Sequence, residues 1–329
     1  MDILIKNQEV VRSILNNDKV FSVNRLHHRQ DLDNLAASKC PIRILAHLGQ
    51  GKERSKHERI YSNIQNLKSI HVAFIEKKWE AFLMELTNEL SAGEWVKCRE
   101  RFMIILRESF LRIYKIKSEK AAVLEQLSAL LQQYLCSSTN QDYGYELRSI
   151  ASELTDAIPI HMTGSLTKLE TEDAAINLGF LYFAAMDNTT SSLLATAHLQ
   201  CQGAYDNDYD FNEFSYEQVA KLCQPSVRII TRFCLEDIEI KGQQFNKGDR
   251  IILSLIPSNS SLNKHPRGNL MFGSGIHSCP GRKLVLLHTR CLVYGLHQLR
   301  QEIHIESHGS STKNPYLAGL EELTITRKH

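Results

Sequence analysis

The stretch "FGSGIHSCPGRKLVLL", residues 272–287, sets a thiol and an imidazole in a glycine-rich turn directly ahead of an apolar helical run. Cys279 sits where the unpaired N–H groups and dipole of a helix start favour an anion, so its thiolate is expected to be stabilised. A thiolate presented this way is a nucleophile or a soft metal ligand. The plain alternative is a buried structural cysteine in a turn. His277, two residues earlier, can act as a base or donate a hydrogen bond to an anion. Gly273 and Gly275 permit backbone conformations closed to other residues and let a bulky planar group come near the chain.

Two further places carry chemistry. The most apolar stretch, residues 174–199, holds "AMDNTT" at 185–190 and is broken by six successive polar residues, Asp187 to Ser192. That interruption reads as a buried helix of a soluble protein rather than a membrane span. A threonine there, such as Thr189, either faces a site or bonds back to a carbonyl of its own helix. In the β-rich text after residue 230, Arg232 taken by itself reads as a surface arginine of a strand.

The elements that must position these groups are mostly helical. "KNQEVVRSILNN" (6–17), the charge-rich run 53–90, 94–114 and 119–135 all place apolar residues at helical spacing. Thr167 with Glu170, or Thr171 with the acids after it, is the expected cap of the long buried helix. Residues 231–258 contain two β-rich runs with turns at Lys241-Gly242 and Asn246–Asp249, a helix spans 281–299, and 316–328 ends in a strand. No strand–helix alternation points to a parallel sheet, and no Pro/Gly/Ser-rich linker divides the 329 residues, so one domain (1–329) is expected. A formal net charge of +2 gives no electrostatic case for nucleic acid or a membrane surface as partner. Eight cysteines without a CxxC pair, and a first segment without a secretion-signal pattern, point to reduced thiols and a cytoplasmic location.

"FGSGIHSCPG" (272–281) fits every fixed position of the heme-binding loop of the cytochrome P450 family, and the chain resembles that family over nearly its whole length. The resemblance implies a mainly α, P450-like fold with a small β region, shortened at the N-terminus and in the loop before the cysteine. It implies heme b as cofactor, with Cys279 as axial thiolate, Phe272 shielding the sulfur, Gly273 shaping the loop, and His277 and Arg232 holding the propionates. By spacing, Arg54 is the first choice for a further propionate contact, ahead of Lys56 and Arg59. Thr189 takes the place of the oxygen-side threonine that positions a proton-delivering water. Beside it Asn188 replaces the usual acid, and Met186 replaces the usual glycine and is expected to project into the oxygen pocket. The structural Glu-x-x-Arg falls at "QVAK" (218–221), where Glu217 and Lys221 stand four apart as a substitute pair. Leu286 and His288 replace charged residues usual after the cysteine.

The resemblance implies monooxygenase-like oxidation of a small organic substrate, free or carrier-presented, of a biosynthetic, secondary-metabolite kind. A ferredoxin or flavodoxin is the implied electron donor, with Lys264, Arg267, Arg282 and Lys283 as a basic docking patch. Residues 156–168 are the expected lid. Asn188 and Met186 leave open a heme-thiolate enzyme without ordinary oxygen activation: a peroxygenase, dehydratase or isomerase. Gln218 and Lys221 leave open a heme-poor binding or recruitment protein.

Overall fold

Helices form wherever the apolar spacing calls for them, and they carry most of the described chain. The computed structural model describes residues 1–23, 58–136, 143–158, 166–202, 216–223, 227–255, 270–310 and 320–328. Helix α1 (Gln8–Leu15) buries Val10, Val11, Ile14 and Leu15, and the Asn7 side chain caps it by accepting from the N–H groups of Glu9 and Val10 at 3.0 and 3.3 Å. The charge-rich run resolves into α2 (Arg59–Gln65) and α3 (Ser69–Ser91). Next come α4 (Arg99–Tyr114), α5 (Ala121–Cys136) and α6 (Gly144–Ser152). The expected helix 94–114 starts later than its periodicity suggests, because Val96–Lys97 pairs as a strand with the C-terminal strand. That pairing satisfies backbone groups that a helix end would leave open.

The long buried helix is α7 (Lys168–Phe183), a π-helical turn (Ala184–Asn188) and α8 (Thr189–Cys201). Its start is the reciprocal capping box of Thr167 and Glu170: the Glu170 N–H donates to the Thr167 hydroxyl at 3.3 Å, and the Thr167 N–H donates to the Glu170 carboxylate at 2.9 Å. Arg148 of α6 docks on this helix through Glu172 (3.5 Å) and Asp173 (2.8 Å), all three nearly inaccessible to solvent. Helix α9 is Tyr216–Leu222, and α10 (Arg282–Leu299) follows the cysteine loop. Trp79 of α3 donates its indole N–H to Nδ1 of His288 at 2.9 Å, tying α3 to α10 in the core. His288 and Leu286 are thus core residues, and burial holds the imidazole neutral, its pKa lowered to about 3.

The strands gather at the edges of this helical body. Strand β1 (Asp2–Ile5) pairs in parallel with β7 (Arg250–Ser254), β7 pairs antiparallel with β4 (Ile229–Cys234), and β4 with β2 (Phe21–Ser22). The parallel pair departs from the sequence expectation: the partner of β7 comes from the far end of the chain, a pairing that no local alternation signals. Strand β3 (Val96–Lys97) joins β9 (Leu320–Arg327) and β8 (Ile303–Ser310), while β5 (Ile238–Ile240) and β6 (Gln243–Phe245) form a hairpin at the predicted Lys241-Gly242 turn. Three apolar clusters result among the described residues. The largest fills the space among α2–α8, α10 and the β8–β9 pair, a smaller one lies under α1, β1 and β7, and a third joins α9 to α10 with Phe272 of the cysteine loop packed against it. The cavity described next opens where α2, the long helix, β4 and the cysteine loop converge.

Candidate active site

The cysteine loop is held by its own backbone. The Cys279 N–H donates to the Phe272 carbonyl at 2.7 Å, the Gly273 N–H to Leu270 at 2.7 Å, and the Ser278 N–H to Gly275 at 3.1 Å, closing a short 3-10 turn at Gly275–His277. Gly273 (φ +68°) and Gly275 (φ +69°) both adopt the left-handed backbone the sequence calls for. At Gly275 a Cβ would stand 2.6 Å from the Leu15 carbonyl oxygen, so α1 packs directly against the loop. Helix α10 begins within three residues of the thiol, its first bond running from the Val285 N–H to the Gly281 carbonyl at 2.9 Å. Arg282 places its guanidinium over the Phe272 ring at 5.6 Å.

The loop forms one wall of a cavity of about 320 Å³. Cys279, Phe272 and His277 line this wall, and Leu181, Ala184, Ala185, Asn188, Thr189 and Ser192 of the long helix line the opposite one. Tyr61 and Ile64 of α2 close one edge, and Ile230 and Arg232 of β4 close another. Five of the eight sequence-chosen site residues therefore meet directly around one space on opposed walls: Cys279, Phe272, His277, Thr189 and Asn188. Arg232 joins them at the edge. Gly273 shapes the loop without lining the cavity, and Arg54, with Lys56, lies outside the described residues. Arg59 is exposed and away from the lining. Most of the expected lid, together with Lys264 and Arg267, also falls outside the described residues, whereas Arg282 and Lys283 are exposed beside the loop. Gln218 lies on α9, and the side chains of Glu217 and Lys221 are outside the description.

Three corrections follow. Cys279 opens into the cavity, yet protein encloses that space, and desolvation raises the thiol pKa. The Gly281 N–H and Arg282 pull the other way, as expected for a helix start, but they do not prevail. Only a cation at the sulfur would reverse this order. The second correction concerns Met186. The cavity face of the long helix runs through 181, 185, 188, 189 and 192, a helical i, i+4, i+7 series, and Met186 falls between these positions in the main core. It does not project into the cavity; Ala184 and Ala185 face that space instead. Third, the long helix is not regular: the π turn interrupts it at Ala184–Asn188.

Asp187 points away from the cavity, as its position beside Asn188 predicts, and meets Arg99 of α4 at 3.5 Å. Burial raises its carboxyl pKa and Arg99 opposes the shift. At the end of the π turn, Asn188 Oδ1 and Thr190 Oγ1 are buried with no hydrogen-bond partner among the described residues. Thr196, about two turns on, shows the alternative a helical threonine has, donating back to the Ser192 carbonyl at 2.7 Å.

The residues present fit a planar metal macrocycle carrying acidic substituents. The thiol supplies a soft ligand, the walls are apolar, and Arg232 is a buried cation at the rim. Arg232 is 6% exposed, donates to its neighbour's carbonyl (Thr231, 2.9 Å) and has no carboxylate partner among the described residues. Burial lowers its pKa to about 10. An uncompensated buried guanidinium costs several kcal/mol, which an acidic ligand group would offset. The sequence motifs did not reveal Tyr61 and Ser192 as lining residues. The Ile60, Tyr61, Ile64 spacing in the charge-rich run was the available signal for the first.

Among the described residues no helix is long and apolar enough to cross a membrane. No protein-family model matches the chain. It is similar to the polyketide biosynthesis cytochrome P450 PksS of Bacillus subtilis, 26% identical over 124 residues, covering 33% of this chain and 31% of that protein. It is similar also to the cytochrome P450 monooxygenase PikC of Streptomyces venezuelae, 22% identical over 228 residues, covering 63% of this chain and 53% of that protein. The chain thus matches about a third to a half of the length of these curated relatives. Among solved structures, a thermophilic cytochrome P450 from Sulfolobus tokodaii superposes with a TM-score of 0.72 at 19% identity, covering 99% of this chain and 94% of that one. P450BioI, solved in complex with an acyl carrier protein ligated to hexadec-9Z-enoic acid, gives 0.73 at 15% identity, covering 99% and 92%.

Proposed function

We propose, with the cytochrome P450 fold of this chain as premise, that residues 1–329 form one heme-thiolate domain that oxidises a small organic substrate. The observation that carries this reading is the Cys279 thiol opening into a cavity whose facing wall presents Thr189. Heme b, when bound, supplies a redox-active iron at which an oxidant is activated. The chain's own residues do the rest. Cys279 ligates the iron from the loop side, and metal coordination keeps its sulfur deprotonated against the desolvation that otherwise protonates it. Arg232 and His277 hold the acidic edge of the ring, with Arg54 as a further contact. Phe272 covers the sulfur and excludes water. Thr189 positions a proton donor on the opposite wall, and Asn188 beside it can hold a proton-bearing water but cannot itself release a proton.

PksS acts in polyketide biosynthesis by its name, and P450BioI is complexed with an acyl carrier protein. They support a secondary-metabolite substrate, free or presented on a carrier protein. Arg282 and Lys283, exposed beside the thiol loop, support an acidic ferredoxin or flavodoxin as electron donor. A peroxide-driven reaction is the second reading. It is favoured by one observation: the described lining holds an amide and several hydroxyls but no carboxylate, Asp187 being turned onto Arg99.

The test is spectroscopic. Protein expressed with heme supplied, reduced and treated with carbon monoxide is expected to show a thiolate-type absorption band that disappears in Cys279→Ala. A folded, heme-supplied and colourless protein would falsify the reading. Turnover with peroxide but none with a reductase system selects the second reading over the first.

A further inference from the structure

A file of aromatic side chains leads from the cavity to the surface. Tyr61 lines the cavity from α2. Tyr114 of α4, fully buried, donates its phenol to the carbonyl of Ile60, next in the chain to Tyr61, at 2.9 Å. That carbonyl carbon is bonded to the Tyr61 nitrogen, so the Tyr114 phenol abuts the Tyr61 backbone. The Tyr114 ring lies against Phe110 with centroids 4.6 Å apart, and Phe110 meets Tyr182 edge-on at 5.3 Å. Tyr182 of α7 donates to the Glu125 carboxylate at 3.3 Å. Glu125 is 46% exposed and paired with Arg107 at 3.1 Å, so the file ends at solvent.

Packing alone accounts for buried rings in contact. It does not account for phenols at the cavity end and the surface end, nor for a carboxylate at the outer phenol. Electron transfer weakens exponentially with distance, so short steps, here one across a hydrogen-bonded peptide and two between packed rings, outrun one long step. A phenol gives up an electron readily only when a base takes its proton. Tyr114 faces a carbonyl, a poor base, whereas Tyr182 faces a carboxylate.

We propose that Tyr182 is a one-electron oxidation site fed from the cavity through Tyr61, Tyr114 and Phe110, an exit for oxidising equivalents when no substrate is bound. This rests on the heme reading above. Hydrogen peroxide reduced at the site takes two electrons and two protons to give two waters. Tyr182 supplies one electron, and its phenolic proton passes to Glu125, leaving a neutral tyrosyl radical and a carboxylic acid. Ascorbate then returns a hydrogen atom to Tyr182, and Glu125 releases its proton. A second passage completes the reduction, so two ascorbates are consumed per peroxide.

The experiment mixes heme-loaded protein with hydrogen peroxide, without substrate, and freezes it for electron paramagnetic resonance. A tyrosyl signal is expected, reduced at least fivefold in Tyr182→Phe, which keeps the ring, and in Glu125→Gln, which removes the base. A spin trap is expected to mark the Tyr182 peptide by mass spectrometry. Tyr294→Phe, at an exposed tyrosine on α10, is the control and is expected to leave the signal unchanged. Absence of a tyrosyl signal in protein that shows the thiolate-type carbon monoxide band overturns this proposal and leaves the heme reading standing. So does an undiminished signal in Tyr182→Phe or in Glu125→Gln. Protein that takes up no heme overturns both, and the carbon monoxide spectrum tells the cases apart.

Discussion

The thiol wall of the cavity and the helical wall opposite it are built by different forces. The loop at 270–281 is fixed by backbone: two left-handed glycines, three short N–H to carbonyl bonds, and the carbonyl of Leu15 pressed against Gly275. The helical wall is fixed by side-chain packing, with Met186 and Leu193 buried in the core and Ala184 and Ala185 leaving the opposite side hollow. Backbone-built walls place one atom accurately and tolerate little change; packing-built walls shape a volume and tolerate substitution.

Four changes test that contrast, from the largest expected effect to the smallest. The support beneath the thiol wall depends on a neutral His288. Its folded pKa is lowered to about 3 against 6.5 in the unfolded chain, so the unfolded state binds the proton first as the pH falls. Stability is full above pH 6.5 and falls between 6.5 and 3, by roughly 4–5 kcal/mol from this residue. Urea unfolding across that range is expected to show the slope in the wild type. The slope flattens in His288→Leu, which starts less stable because Trp79 loses its acceptor. Gly275→Ala adds a Cβ against the Leu15 carbonyl at a left-handed φ and is expected to cost about 2–3 kcal/mol, with heme retention falling in parallel. Equal stability of this variant would remove the backbone account of the loop.

Arg232→Met separates holding a ligand from holding the fold. Removing an uncompensated buried cation is expected to stabilise the heme-free protein by roughly 1–3 kcal/mol, while heme affinity drops at least tenfold. Thermal melts with and without heme would move in opposite directions. On the helical wall, Met186→Leu is expected to cost under about 1.5 kcal/mol and to leave ligand binding unchanged, because the side chain packs in the core. A shifted ligand spectrum in that variant would return Met186 to the cavity.

The sequence showed these two walls unequally. The cysteine loop was legible because its chemistry is local: glycine, thiol and helix start sit within ten residues, and each glycine's type reports the backbone it must adopt. Thr189 and Asn188 were legible as a pair only through the resemblance of "AMDNTT" to the family pattern, since periodicity by itself sets neighbours about 100° apart. The same periodicity, applied strictly, would have turned Met186 inward to the core. The β1–β7 pairing, the Val96–Lys97 strand and Tyr61's place in the lining depend on partners more than a hundred residues away, which no window of sequence contains. The net direction of the Cys279 shift was hidden for a related reason. A helix start can be read locally, but the burial that outweighs it is made at a cavity lined from several separate elements.

The π turn at Ala184–Asn188 has a consequence for how this cavity can be altered. It stores one residue more than an α-helical turn needs, so losing a single codon there would let the two flanking segments run on as one regular helix. The five residues of the π turn cover about the rotation of four α-helical ones, so Leu181 and Thr189 would both keep facing the hollow. The same deletion in a regular turn of that wall would swing one half by about 100°. The π turn is therefore the place on that wall where chain length can change at the least cost to the lining.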